Sequence, residues 1–191
     1  MTVQYTNVKQ QTYALYQKPN KRGTPRYFFA KQQSTGATPV AEIPNGYEIY
    51  ENVNGQVFLR KQRPVLIHDE EQQLVEITLL ERAEPDCKFE VKGKQIRVFT
   101  SEASVGGLDD LMQTLGVSAD AVRDVLQRHR QWEETLRFEL VDAEARTFQT
   151  LRYCYLGSID DWIEIGTADK LATVLNEFVP HLGQESYFEL F

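Results

Sequence analysis

Apolar and polar residues alternate with a period of two over much of this chain, the pattern of half-buried β-strands. Residues 13–17, 26–32, 46–51 and 56–61 read as strands on that basis. Tyr47 and Ile49 share one face of the third, and Val57 and Leu59 share one face of the fourth. Turn chemistry separates them. NKRGTP at 20–25 concentrates Gly, Pro and base, and Asn54-Gly55 in NVNG permits the positive φ of a tight hairpin. Pro64 closes this first group.

The period changes at 69–82. In DEEQQLVEITLLER, Leu74, Val75, Thr78 and Leu79 fall on one helical face. Asp69 suits an N-cap, and Glu70 and Glu71 suit the positive end of the helix. Strands return at 87–91 and 95–100 around the turn Lys92-Gly93-Lys94. Two short helices are predicted across 107–131. Leu108, Leu111, Met112 and Leu115 form the stripe of the first, and Gly116 stops it. Ser118 caps the second, which turns Ala121, Val122, Val125 and Leu126 inward. Leu136, Phe138 and Leu140 then alternate with Arg137 and Glu139, and 148–156 pairs back after a turn at 142–146. Thr167 is expected to cap a last helix with Leu171, Val174, Leu175 and Phe178 as its stripe, broken by Pro180. The apolar tail HLGQESYFELF is expected to dock on the body or on a partner.

RYCYLGSIDDWIEIG at 152–166 is the densest strand-forming run. Two arms flank Gly157-Ser158. Ile163 and Ile165 share a face opposite Glu164, and Asp160 and Asp161 stand at the turn end, where carboxylates bond nearby backbone N–H groups. This predicts the central hairpin of an antiparallel sheet, with Trp162 as an anchor. The resulting expectation is an α+β protein: antiparallel sheets with about four helices, in two subdomains, 1–65 and 66–191.

Composition adds a compartment. Hydrophobic content of 41% and charged content of 26% suit a folded soluble chain. No apolar run approaches the ~20 residues of a membrane helix, and MTVQYTNVKQ lacks a secretory pattern. Cys87 and Cys154 are far apart, fit no metal spacing, and read as reduced, buried thiols. The expected location is the cytoplasm, with no cofactor.

Charge changes the picture more. The net charge is −7, but residues 1–65 carry nine Lys and Arg against three Asp and Glu, and residues 66–191 carry twelve against twenty-five. Opposite-charge halves attract, within a chain or between copies, so protein binding or self-association is the expected partner chemistry. The basic half interleaves aromatics with base, and Arg26, Tyr27, Tyr47, Tyr50, Arg60 and Lys61 form its candidate binding surface. Such residues also stack bases and hold phosphates, yet the acidic whole repels nucleic acid.

Two other chemistries are candidates. LMQTLGVSADAVRDVL, within 108–130, resembles a DNA-binding helix-turn-helix, with Gly116 at the turn and Val122 and Val125 at apolar positions. Met112 stands where a small residue is usual, and Asp120 and Asp124 oppose phosphate. Asp160, Asp161, His181 and Glu185 form an acid–histidine set suited to hydrolysis if the fold brings them together. The simpler account of that set is a capped turn and a surface tail. His68 and His129 complete the histidines, and no pattern among the three spells a metal site.

TYALYQKPNKRGTPRYFFAKQ, IPNGYEIYENVNGQVFLRK, RYCYLGSIDDWIEIG and HLGQESYFEL resemble segments of uncharacterised bacterial proteins of unknown function. The resemblance spans most of the chain. It implies a bacterial cytoplasmic protein and brings no activity, cofactor or site with it. The expected function is non-enzymatic binding, ahead of DNA binding and hydrolysis.

Overall fold

Alternation along the first sixty residues produces two small antiparallel sheets, and the later alternation produces one larger sheet. The computed structural model describes residues 1–83, 86–101, 130–155 and 158–191. They fall into two units, one holding residues 1–63 and the other residues 64–101 and 131–191.

In the first unit β2 (Thr12–Pro19) is central. It pairs with β3 (Pro25–Ala30) along one edge. Its other edge is shared by β1 (Gln4–Thr6) and the short β4 (Thr38–Pro39). β5 (Tyr47–Glu51) and β6 (Val57–Lys61) form a separate hairpin. Its turn places Gly55 at φ +77°, as the Asn-Gly pair predicts. Polar contacts tie that hairpin to the first sheet. Buried Asn7 donates Nδ2–H to the Gly55 carbonyl at 2.6 Å. The Glu51 carboxylate accepts from the Tyr5 hydroxyl and the Val8 N–H, each at 2.9 Å.

In the second unit β7 (Cys87–Lys92), β8 (Gln95–Thr100), β9 (Glu133–Asp142), β10 (Thr147–Cys154) and β11 (Asp161–Lys170) form one five-stranded antiparallel meander in chain order. α1 (Asp69–Arg82) and α2 (Leu171–Phe178) cover one face. Ile96, Val98, Leu136, Phe138, Phe148 and Ile165 are fully buried beneath Val75, Leu79, Val174 and Leu175. Each such side chain contributes roughly 1.5–3 kcal/mol by leaving water.

The expected α+β fold with about four helices is corrected. The protein is mostly β-sheet, with three sheets and two α-helices among the described residues. The long reach of strand pairing is the reason. β8 pairs with β9 across 32 intervening residues, so the 95–100 hairpin and the later meander are one sheet. The helices predicted across 107–131 fall on residues 102–129, outside the described residues, as do Leu156 and Gly157 of the predicted 152–166 turn.

α1 spans the predicted residues, but its N-cap is His68 rather than Asp69; the Glu71 carboxylate accepts from the His68 N–H at 2.8 Å. Arg146, in the β9–β10 turn, clasps the same carboxylate, its Nε–H donating at 2.9 Å. Thr167 does not cap a helix. β11 bends at Gly166, whose φ is +61°, and continues to Lys170, pairing Asp169 with Phe148 and Lys170 with Thr147. Backbone pairing across that bend displaces the predicted cap by one turn, although the α2 stripe is as expected.

Pro180 stands in the 3-10 turn Val179–His181 that follows α2, and a second such turn spans Glu185–Glu189. The tail docks. Tyr187 is buried, and its hydroxyl donates to the Thr135 carbonyl at 2.6 Å. Burial pushes its phenol from 10.0 up to about 12, against the opposing pull of Arg152. The folded state therefore favours the neutral phenol. That contribution is whole below pH 10 and is lost as pH rises toward 12. Unfolding in urea between those pH values should show a decline of about 2–3 kcal/mol in wild type that Tyr187→Phe largely abolishes. An equal decline in both proteins would assign it to other groups. Among the described residues, no helix is long and apolar enough to cross a membrane.

Candidate functional site

The basic surface of the first unit is built on the end of the β2–β3 hairpin. Its turn is rigid. The Asn20 N–H donates to the Thr24 carbonyl at 2.8 Å, and the Gly23 N–H donates to the Asn20 carbonyl at 3.0 Å with φ +80° at Gly23. The Asn20 side-chain oxygen accepts from the Arg22 N–H at 2.8 Å and the Thr24 N–H at 3.1 Å. This frame holds Lys21 and Arg22 in solvent. Directly behind it, Lys18 and Arg26 are paired across the strands on one face. Like charges opposite one another are mildly destabilising in a sheet. Among the described residues no carboxylate relieves them, and Lys18 instead donates to the Thr35 carbonyl at 3.2 Å.

The six predicted binding residues are distributed over several faces. Arg26 lies with Lys18, on the opposite side of β3 from Tyr27. Tyr27 meets Tyr47 edge to face at 5.7 Å, and Tyr47 stands opposite Lys61 in the β5–β6 register. Tyr50 and Arg60 lie on the other face of that hairpin. There the Arg60 guanidinium covers the Tyr50 ring at 4.1 Å and its Nε–H donates to Glu48 at 2.7 Å. Phe58, paired with Tyr50 across the hairpin, stacks on it at 6.2 Å. Arg60 is therefore internally neutralised, whereas Arg26 belongs to the uncompensated cations.

Lys18, Lys21 and Arg22 were not singled out by aromatic–basic interleaving. A plainer signal marks them: residues 1–41 hold six Lys and Arg and no Asp or Glu.

The acid–histidine set is placed in the second unit. Asp160 accepts a hydrogen bond from the Tyr153 hydroxyl at 3.0 Å, which raises the Tyr153 phenol. Asp161 begins β11, and its Oδ1 accepts from the Trp162 N–H at 2.7 Å. His181 Nδ1 and the Ser186 hydroxyl are 2.7 Å apart, and Glu185 is exposed. The carboxylates are engaged at the strand turn and the imidazole within the tail. Among the described residues, no three His, Cys, Asp or Glu side chains are grouped to hold a metal ion. Cys87 is no ready nucleophile, because burial and then Asp86 push its thiol up to about 12. The helix-turn-helix candidate at 108–130 lies, but for Arg130, outside the described residues. Compared with known proteins, the chain matches no family model, no curated protein and no solved structure.

Proposed function

We propose that this is a non-enzymatic cytoplasmic binding protein that engages an acidic protein surface through the β2–β3 hairpin end. One observation carries the reading. Lys18, Lys21, Arg22 and Arg26 are exposed at a hydrogen-bonded hairpin end, with no ion pair among the described residues. Four uncompensated cations so close together repel each other until a carboxylate-bearing surface neutralises them. A protein partner fits better than nucleic acid. Tyr27 and Phe28, which follow Arg26 along β3, are half-buried and pack on Tyr47 and Tyr16, so they are not free stacking platforms. Two free cysteines support the cytoplasmic assignment.

The test uses fluorescence anisotropy of a labelled glutamate-rich peptide and of single-stranded and duplex DNA. The peptide should bind with an affinity that falls as salt rises. The double reversal Lys21→Glu/Arg22→Glu should weaken it by roughly tenfold or more. Both residues are exposed, so the fold is spared. Binding unaffected by the reversal, or tighter binding of DNA than of peptide, would overturn the reading.

A further inference from the structure

We infer that a second site, a cleft at one end of the five-stranded sheet, binds an organic cation: an ammonium or guanidinium group on an apolar body. It lies wholly within the second unit and is independent of the basic hairpin. The cleft measures about 320 Å³ and forms where the ends of β8, β9 and β10 meet the tail around 182–188. That volume is at the lower end of small-ligand pockets.

Its chemistry is consistent in sign. Four aromatic residues line it. The Tyr153 and Tyr155 rings are 4.6 Å apart at 45°, and Tyr187 and Phe188 meet edge to face at 5.4 Å. Ring faces carry negative charge and attract cations, more strongly as water is excluded. Glu133 and Glu134 also line the cleft, and no described residue lining it is Lys, Arg or His. The two carboxylates differ. Glu134 is neutralised by Arg97 at 3.2 Å and Arg137 at 2.9 Å. Glu133 has no ion pair among the described residues and stands exposed at the start of β9. Tyr153 brings Asp160 beside the same end through its 3.0 Å hydrogen bond.

A third feature points to an occupant. The Ser101 hydroxyl lines the cleft, is buried, and has no hydrogen-bond partner among the described residues. A buried hydroxyl left unpaired is costly, and its lone pairs suit an N–H donor. A cation entering here meets Glu133 for charge, aromatic rings for its body and Ser101 as an acceptor. The nearby guanidiniums are already engaged, Arg97 and Arg137 by Glu134 and Arg152 by the Tyr153, Phe188 and Leu190 carbonyls, so an anion would face the unpaired Glu133.

Isothermal titration calorimetry tests this with arginine ethyl ester, spermidine and tetramethylammonium, and with glutamate as the anionic control. At least one cation should bind saturably, and glutamate should not. Glu133→Gln and Tyr155→Ala should each weaken binding by roughly tenfold. Glu133 is exposed and Tyr155 is 70% exposed, so both variants should keep the wild-type melting temperature. Ser101→Ala should weaken binding less. Failure of all three cations, equal binding of glutamate, or undiminished affinity in both variants would overturn the assignment.

Discussion

Gly166→Ala should destabilise the second unit by ~2–5 kcal/mol, from a left-handed backbone cost of ~1–2 kcal/mol and an overpacking cost of ~1–3 kcal/mol. Gly166 sits at the bend of β11 with φ +61°, where an L side chain is strained. An alanine methyl there would stand 2.6 Å from Phe178 Cζ and 3.3 Å from its Cε2. Phe178 cannot retreat, because it is 2% exposed and packed into the core beneath α2. Urea unfolding followed by circular dichroism should show a lower midpoint with an unchanged slope. Gly93 supplies the control. Its φ is +62°, but a methyl there meets nothing within 4 Å, so Gly93→Ala isolates the backbone cost. If the two variants lose the same stability, the Phe178 contact is not responsible. If Phe178→Leu softens the effect of Gly166→Ala in a double-mutant cycle, it is.

That bend also shows where sequence reading stops. The α2 stripe from Leu171 to Phe178 is visible as a helical period, but the start of the helix is decided by Asp169 and Lys170 pairing with β10. A cap signal is local, and the competing pairing is not. α1 was legible for the opposite reason: its stripe and its acidic first turn all lie within fourteen residues. Strand faces were legible too, since Leu136, Phe138 and Leu140 are buried as their alternation requires. Which strands join was not, because β8 and β9 find each other across a long excursion.

The candidate sites divide in the same way. Excess base in the first unit is written in composition. Whether two of its residues share a face depends on register, which sets Tyr47 against Lys61 and Tyr50 against Phe58. The cation cleft collects Ser101, Glu133, Tyr155 and Phe188 from strand ends and tail, and no spacing along the chain announces it. Arg152 is a different case. It shares the two-residue phase of Phe148, Thr150 and Cys154 and is buried with them. Arginine is generally excluded from cores, so its burial could not be taken from residue type.

Arg152→Ala should cost ~3–5 kcal/mol, the range for stripping a large buried side chain and orphaning its hydrogen-bond partners. Arg152 is 1% exposed and is the largest fully buried side chain. Its Nε–H donates to the Leu190 carbonyl at 2.7 Å, its Nη2 to the Phe188 carbonyl at 3.3 Å and its Nη1 to the Tyr153 carbonyl at 3.4 Å. The rings of Phe191 and Tyr187 lie 5.3 and 5.8 Å from the guanidinium carbon. Carbonyl dipoles and ring faces thus take the place of a carboxylate among the described residues. The planar fork reaches Phe188 and Leu190 at once, which a lysine cannot do. Arg152 therefore acts through the tail as well as through its volume, and two further variants separate the roles. Arg152→Met keeps most of the volume and removes a buried charge, so its global stability should fall less than that of the alanine variant. It still loses both tail carbonyls, so chymotrypsin should cut after Phe188 faster than in wild type. Arg152→Lys should keep the charge yet show the same faster cleavage. If the methionine variant protects Phe188 as well as wild type does, the tail is held by Tyr187 and Leu190 packing, and the guanidinium serves the core alone.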